Sequence, residues 1–292
     1  MVATGPDGGT AGGTLYVVAT PIGNLGDVTL RALEVLKAVP LVAAEDTRIT
    51  RRLFARYEIT TRLVSFHARS GATRVAALLA HLRGGADLAV VTDAGTPIVS
   101  DPGEDLVGAW ADEGGTVVAI PGASAVLAAV ASSGIAGPRW GFEGFLPRGG
   151  RERKERLARI AADDRSTILF EAPGRLGPTL RDLASACGGD RQAAVCRELT
   201  KLHEQLARGT LGELAAAVGS AIPERGEIVV VVAGAADGPV DEEADASQRL
   251  EAAKARVDEL VAAGTSRSEA ARRVAGETGL PRRDVYGGTA SR

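Results

Sequence analysis

Acidic and basic residues cluster where apolar runs end, and these are the positions best suited to chemistry. Glu45-Asp46-Thr47-Arg48 follows directly on the apolar residues 41–44. Two carboxylates and a guanidinium there suit a polar cluster facing a cleft. They suit equally a helix start, with Asp46 as N-cap and Glu45 beside it. Thr92-Asp93-Ala94-Gly95-Thr96-Pro97 and Ser100-Asp101-Pro102-Gly103 follow a second apolar run. Such a turn-rich loop is stiff and exposes backbone N–H and C=O groups to a ligand. Pro121-Gly122-Ala123-Ser124-Ala125 repeats the theme, and its small residues either leave room for a ligand or allow close helix–sheet packing. Thr20-Pro21-Ile22-Gly23-Asn24-Leu25-Gly26-Asp27 is neither GxGxxG nor a Walker A loop, so it promises close backbone approach rather than a phosphate cradle. Glu171-x3-Arg175 and Arg197-Glu198-Leu199-Thr200-Lys201-x-His203-Glu204 mix acids and bases, as surface ion pairs also do.

These motifs need strands and helices to place them. Short buried-strand runs are predicted at 15–19, 41–44, 88–91 and 116–120, with helical spacing at 28–38, 47–57, 72–83, 104–113 and 123–132. The alternation predicts parallel βαβ units, and ligands of such sheets sit at the carboxyl ends of strands. Residues 134–150, rich in Gly and Pro and holding Trp140, Phe142 and Phe145, read as a connector. A second α/β domain at 151–236 is predicted from strands at 166–170, 192–197 and 227–233 and helices at 151–161, 176–187 and 210–218. The first α/β domain then spans 14–133, after a Gly-rich disordered tail at 1–13. An acidic linker at 237–247 leads to a helical unit at 248–292, with a helix-turn-helix or a plain helical hairpin as its two readings.

The chain has 292 residues, a length that suits about two α/β domains. Its formal charge is −3, and only 3% of its residues are aromatic, few for a protein that stacks bases. The charge is segregated. Residues 45–83 carry 8 basic and 3 acidic groups, 145–208 carry 13 and 9, and 264–292 carry 6 and 3, so the remainder is strongly acidic. A net negative charge therefore does not exclude RNA as a partner. Cys187 and Cys196 read as reduced core residues, and the three His and two Cys show no metal-ligand spacing. No apolar run reaches the ~18 residues of a membrane helix, and residues 1–13 do not form a secretory signal. A cytoplasmic protein without a membrane or metal partner is expected.

In chain order, the loop at 20–27, Ala43-Ala44-Glu45-Asp46-Thr47-Arg48, Asp93-Ala94-Gly95-Thr96-Pro97, Ser100-Asp101-Pro102-Gly103, Pro121-Gly122, Gly144-Phe145-Leu146-Pro147 and Arg197-Glu198-Leu199-Thr200-Lys201 together resemble the ribosomal RNA small subunit methyltransferase I family. That family belongs to the tetrapyrrole methylase superfamily. The resemblance runs from about residue 15 to 233, and the helical tail resembles the family's C-terminal unit. It implies an α/β fold: two α/β domains of tetrapyrrole methylase type with a ligand cleft between them, plus a small helix-turn-helix-like unit. It implies S-adenosylmethionine as cofactor, a homodimer, and 2′-O-methylation of a cytidine in 16S ribosomal RNA of the small ribosomal subunit. By motif position, cofactor contacts fall on Pro21, Ile22, Thr96, Val99, Ser124, Ala125, Phe170, Leu199 and Gly226. Gly95-Thr96-Pro97 departs from the superfamily's Gly-Asp-Pro, so Asp93 or Asp101 is expected to supply the missing carboxylate.

Under that resemblance Asp46 or Glu45 is the expected base for the ribose hydroxyl. Arg48, Arg51, Arg52, His67, Arg175, Arg197 and Lys201 are the expected contacts to phosphate and ribose. Two other functions compete: a methylase of a small tetrapyrrole, and a non-catalytic RNA-binding or ribosome-assembly protein. The helical tail and the Glu45–Arg48 motif speak against the first. Cofactor binding discriminates against the second.

Overall fold

In this computed structural model residues 12–235 and 242–286 are described. The first sheet is built from β1 (Leu15–Val18), β2 (Leu41–Ala44), β3 (Arg62–Ser65), β4 (Leu88–Val91) and β5 (Val117–Ile120). Its order is β3-β2-β4-β1-β5, and every pairing is parallel. Parallel strands covered on both faces read as unbroken apolar runs, as the fully buried β2 and β4 do. The helices α1 (Leu30–Ala38), α2 (Thr47–Tyr57), α3 (Gly71–Arg83), α4 (Glu104–Asp112) and α5 (Ala125–Ser133) alternate with these strands. One apolar cluster joins Leu36, Leu53 and Phe54 to Val42 and Val91, and another joins Leu82, Leu106 and Trp110 to Leu41 and Leu88. All five carboxyl ends meet at one edge of the sheet.

The second sheet uses β6 (Trp140–Phe145), β7 (Ser166–Glu171), β8 (Gln192–Arg197), β9 (Gln205–Thr210) and β10 (Ile228–Val232), in the order β6-β7-β10-β8-β9. Only β6 with β7 is parallel, and the other pairings are antiparallel. The strands alternate their side chains between two cores. Leu169, Val195 and Val230 face α6 (Gly150–Ala162), α7 (Leu176–Cys187) and α8 (Leu211–Ala217). Ile168, Ala194, Cys196 and Val231 face Val126 and Ala129 of α5, a helix of the first sheet's βα series. The small residues of α5 thus bring the two sheets together. Burial pushes the Cys196 thiol up to about 11, so it stays an inert core group.

The structure departs from several expectations. The segment 134–150, predicted as a connector, contains β6. Trp140 and Phe142 pack into the core beside α5, and a register shift between Phe142 and Gly144 interrupts the ladder. Its Gly and Pro mark a bulged edge strand rather than a linker. Two other edge strands, β3 and β9, carry too much polar sequence to read as strands. Within the predicted tail, residues 1–11 lie outside the described residues, but Gly13 is buried and its N–H donates to the Leu82 carbonyl (2.7 Å). Residues 237–241 of the predicted acidic linker also lie outside the described residues, and α9 (Glu242–Ala262) occupies the rest.

The helices at 242–286 form a second compact unit. There α9, α10 (Arg267–Thr278) and α11 (Arg282–Tyr286) enclose a small core of Ala253, Val257, Ala270, Val274 and Val285. Ser266 caps α10 by accepting from the Glu269 N–H, and Gly279 ends it at a φ of 70°. Among the described residues no helix is long and apolar enough to cross a membrane.

Candidate functional site

The carboxyl ends of the first sheet and the ends of β7 and β10 enclose a cavity of about 360 Å³. The first loop and the loop after β4 are tied together across its floor. The Thr20 N–H donates to the Gly95 carbonyl (2.9 Å), and the Gly95 N–H returns the bond (3.0 Å). Gly95 sits at a φ of 85°, and a Cβ there would press on Ile22. Ile22, Thr96, Val99, Ser124, Ala125, Phe170 and Gly226, all predicted cofactor contacts, line the cavity. Ser124 also caps α5, its hydroxyl accepting from the Leu127 N–H. Pro21, Asp93 and Leu199 do not line it. Pro21 is buried in the first loop, and Leu199 packs into the core between α5 and the second sheet.

Three carboxylates do line the cavity: Asp101, Glu171 and Glu227. Glu171 is buried at the end of β7 and accepts from the Thr179 hydroxyl (2.5 Å), the Ala172 N–H (2.8 Å) and Arg175 Nε (3.2 Å). Glu227 pairs with Lys201 Nζ (3.0 Å), which also holds Glu198 (2.8 Å). Asp101 has no Lys or Arg partner among the described residues. Burial pushes its carboxyl up to about 6; the Thr92 hydroxyl opposes that shift, and the Glu45 and Asp93 charges add to it. Asp101 and Glu171 stand within the quoted motifs and Glu227 opens a predicted strand, but nothing in spacing marks which acids turn inward.

The Glu45–Arg48 motif sits beside this wall. Glu45 accepts from the Thr92 hydroxyl (2.6 Å) and the Asp93 N–H (3.3 Å). The Asp46 N–H donates to Asp93 Oδ1 (2.9 Å). Asp46 itself caps α2 through the Arg48 N–H (2.8 Å), and its carboxylate is clamped by the Arg48 guanidinium. Those bonds hold Asp46 at about 2. A carboxylate clamped in this way is a poor proton acceptor while Arg48 holds it. Asp93 is shifted upward, chiefly by burial.

The expected RNA contacts fall into two groups. Arg48, with 84% of its side chain exposed, stands on the solvent face of α2 with Arg51 and Arg52. His67 is also exposed, its Nδ1 accepting from the Arg69 N–H (3.1 Å). The remaining three are bonded to other groups of the protein, Arg197 buried and Arg175 and Lys201 half-buried. Arg197 is only 6% exposed and donates to Gln205 Oε1 and to the carbonyls of His203 and Arg225. Arg175 donates to the Leu146 carbonyl (2.6 Å) and Glu171, and Lys201 joins the loops carrying Glu198 and Glu227. Arg197 is therefore a fastener of the second sheet and cannot reach a phosphate. Lys201 lies against Gly23, where a Cβ would come within 2.4 Å of its Cγ, so the loop at 198–204 closes onto the first loop.

Aliphatic and aromatic walls, three hydroxyl residues and an acidic rim suit a flat heterocycle joined to a positively charged centre. Two parallel-type and mixed sheets joined through α5 around such a cavity define a class. A family described as Tetrapyrrole (Corrin/Porphyrin) Methylases matches residues 14–215. Solved structures share the fold at low identity. Diphthine synthase aligns with a TM-score of 0.59 at 17% identity, covering 75% of this chain and 89% of that one. Uroporphyrin-III C-methyl transferase from Thermus thermophilus, complexed with S-adenyl homocysteine, aligns at 0.55 and 19%, covering 76% and 97%.

Within that class the chain belongs to the ribosomal RNA small subunit methyltransferase I family. It is 47% identical to the protein of that name from Synechocystis over 94% of this chain and 96% of that one. It is 42% identical to the Bacillus subtilis protein of that name over 94% and 93%.

Proposed function

We propose that the protein transfers a methyl group from S-adenosylmethionine to the ribose 2′-oxygen of a cytidine in 16S ribosomal RNA of the small subunit, acting as a cytoplasmic homodimer. The observation that carries this reading is an acid-rimmed cavity at the carboxyl ends of the first sheet, the edge from which α2 with its exposed arginine face starts. The acids suit a cationic cofactor, whereas Arg48, Arg51 and Arg52 suit a polyanion. The family relatives, named for ribosomal RNA, support the substrate.

When bound, S-adenosylmethionine supplies an electrophilic methyl group on a positively charged sulfur. Phe170, Ile22 and Val99 offer apolar surface to its adenosine, and Thr96 and Ser124 offer hydroxyls. The Glu171 carboxylate, fixed by three donors, and Glu227 set a negative field around the cationic centre. Arg48, Arg51 and Arg52 hold the RNA backbone so that one ribose enters the mouth. Holding nucleophile and electrophile in line lowers the barrier chiefly through positioning.

The test is transfer of isotope-labelled methyl to small ribosomal subunits lacking the modification, compared with uroporphyrinogen as acceptor. Label should enter the RNA and survive alkaline hydrolysis within a dinucleotide, because a methylated 2′-oxygen cannot attack its phosphate. Label in the tetrapyrrole, or cofactor binding without transfer to RNA, would reject the reading.

A further inference from the structure

We infer that Asp101, rather than Glu45 or Asp46, accepts the proton of the attacking hydroxyl, because it is the one cavity-lining carboxylate without a cationic partner among the described residues. The inference rests on the proposed ribose methylation. Glu171 and Glu227 also line the cavity, but Arg175 and Lys201 hold them. Asp46 is clamped by Arg48, and Glu45 is engaged by Thr92 and the Asp93 N–H. Asp101 is left facing the cavity beside Val99 and Ser100.

The backbone around Asp101 is strained. Ile98 adopts a φ of 78° and Ser100 a φ of 66°, a region disfavoured for all L-residues and more so for a β-branched one. Gly103 follows at 133°, with Pro102 between. Strain of about 1–3 kcal/mol per such residue persists where a structure holds a side chain in one place for use. The charged groups around Asp101 are Glu45 at the end of β2, Asp93 after β4, and across the cavity Glu171 and Glu227 with their partners Arg175 and Lys201. Burial, with the Glu45 and Asp93 charges adding to it, raises its proton affinity toward the range useful to a general base.

The step balances. The ribose oxygen forms a bond to the methyl carbon as the carbon–sulfur bond breaks. The bonding pair stays on sulfur, which loses its positive charge, and the hydroxyl proton passes to an Asp101 carboxylate oxygen and on to water.

The experiment compares wild type, Asp101→Asn and Asp101→Glu. Single-turnover transfer to small ribosomal subunits at saturating cofactor is followed between about pH 5 and pH 9. Cofactor affinity is measured by calorimetry, and aspartate carboxyls are titrated by ¹³C NMR without cofactor. We expect Asp101→Asn to transfer about 100-fold or more slowly at saturating cofactor, with a change in cofactor affinity far smaller than the change in rate, and to lose the low-pH break of the wild type. One carboxyl resonance titrating well above the ordinary aspartate range should vanish with it, and Asp101→Glu should recover part of the rate. A rate within about threefold of wild type, a lost cofactor affinity, or no such resonance would overturn the assignment. If the wild type methylates no RNA, the functional reading fails and takes this assignment with it. A methylating wild type with an unimpaired Asp101→Asn sinks the assignment alone.

Discussion

Asp101→Asn should make the folded protein more stable at alkaline pH while leaving it unchanged in acid. In the folded chain the Asp101 carboxyl is pushed from 3.8 up to about 6 by burial. The folded state thus binds this proton more tightly than the unfolded chain. The stability tied to that proton is fully present below pH 3.8 and is lost as the pH rises through about 6. At ~1.4 kcal/mol per pKa unit the full loss is ~3 kcal/mol, and partial solvation of a half-buried carboxylate reduces it to roughly 1–3 kcal/mol. Asparagine carries no such cost. Urea unfolding followed by tryptophan fluorescence is a suitable assay, because both tryptophans, Trp110 and Trp140, lie in the unit that contains the cavity. At about pH 8 the variant should gain stability in that range, and at about pH 4 it should match wild type. An equal effect at both pH values, or a less stable variant at pH 8, would refute the reasoning.

Other consequences follow from the same geometry. Arg197→Met removes the buried guanidinium that ties the loop carbonyls of His203 and Arg225 and the Gln205 side chain to β8, so urea unfolding should show a loss of about 1–3 kcal/mol. Reversing Arg51 and Arg52 to Glu should weaken RNA binding and lower its salt slope by about 1 per lost phosphate contact, with cofactor affinity unchanged in calorimetry. Gly226→Ala should lower cofactor affinity and destabilise the protein by about 1–3 kcal/mol, because Gly226 has a φ of 87° and its Cβ would fall 2.5 Å from the Glu198 carboxyl carbon. A variant that binds cofactor normally would show that this wall yields.

Much of the fold is legible in the sequence. β1, β4 and β5 are apolar runs closed by Gly- or Pro-bearing loops, and that combination marks a parallel strand feeding a ligand edge. Three of the four edge strands, β3, β6 and β9, are not legible, because an edge is half solvated and tolerates Arg, Gly and Gln; the fourth, β5, keeps an apolar sequence and is legible. For the site, small loop residues such as Ser124 and Gly226 are placed well by motif position. Charge is read less well. Arg48 and Arg197 look alike in sequence, yet one is open to solvent and the other is spent on buried carbonyls. Likewise Asp46 and Asp101 are both acids near a turn, but the neighbouring Arg48 holds one at about 2 and burial pushes the other up to about 6. The residues that line the cavity around Asp101 come from loops far apart in the chain.

The central claim is ribose methylation of the small-subunit RNA, and a ribose-methylation map of 16S RNA tests it most directly. RNA from cells lacking the protein would be compared with RNA from cells expressing it and from cells expressing Asp101→Asn. One cytidine should be 2′-O-methylated with the wild-type protein and unmethylated, or nearly so, in the other two. A map with no cytidine that responds to the protein would contradict it.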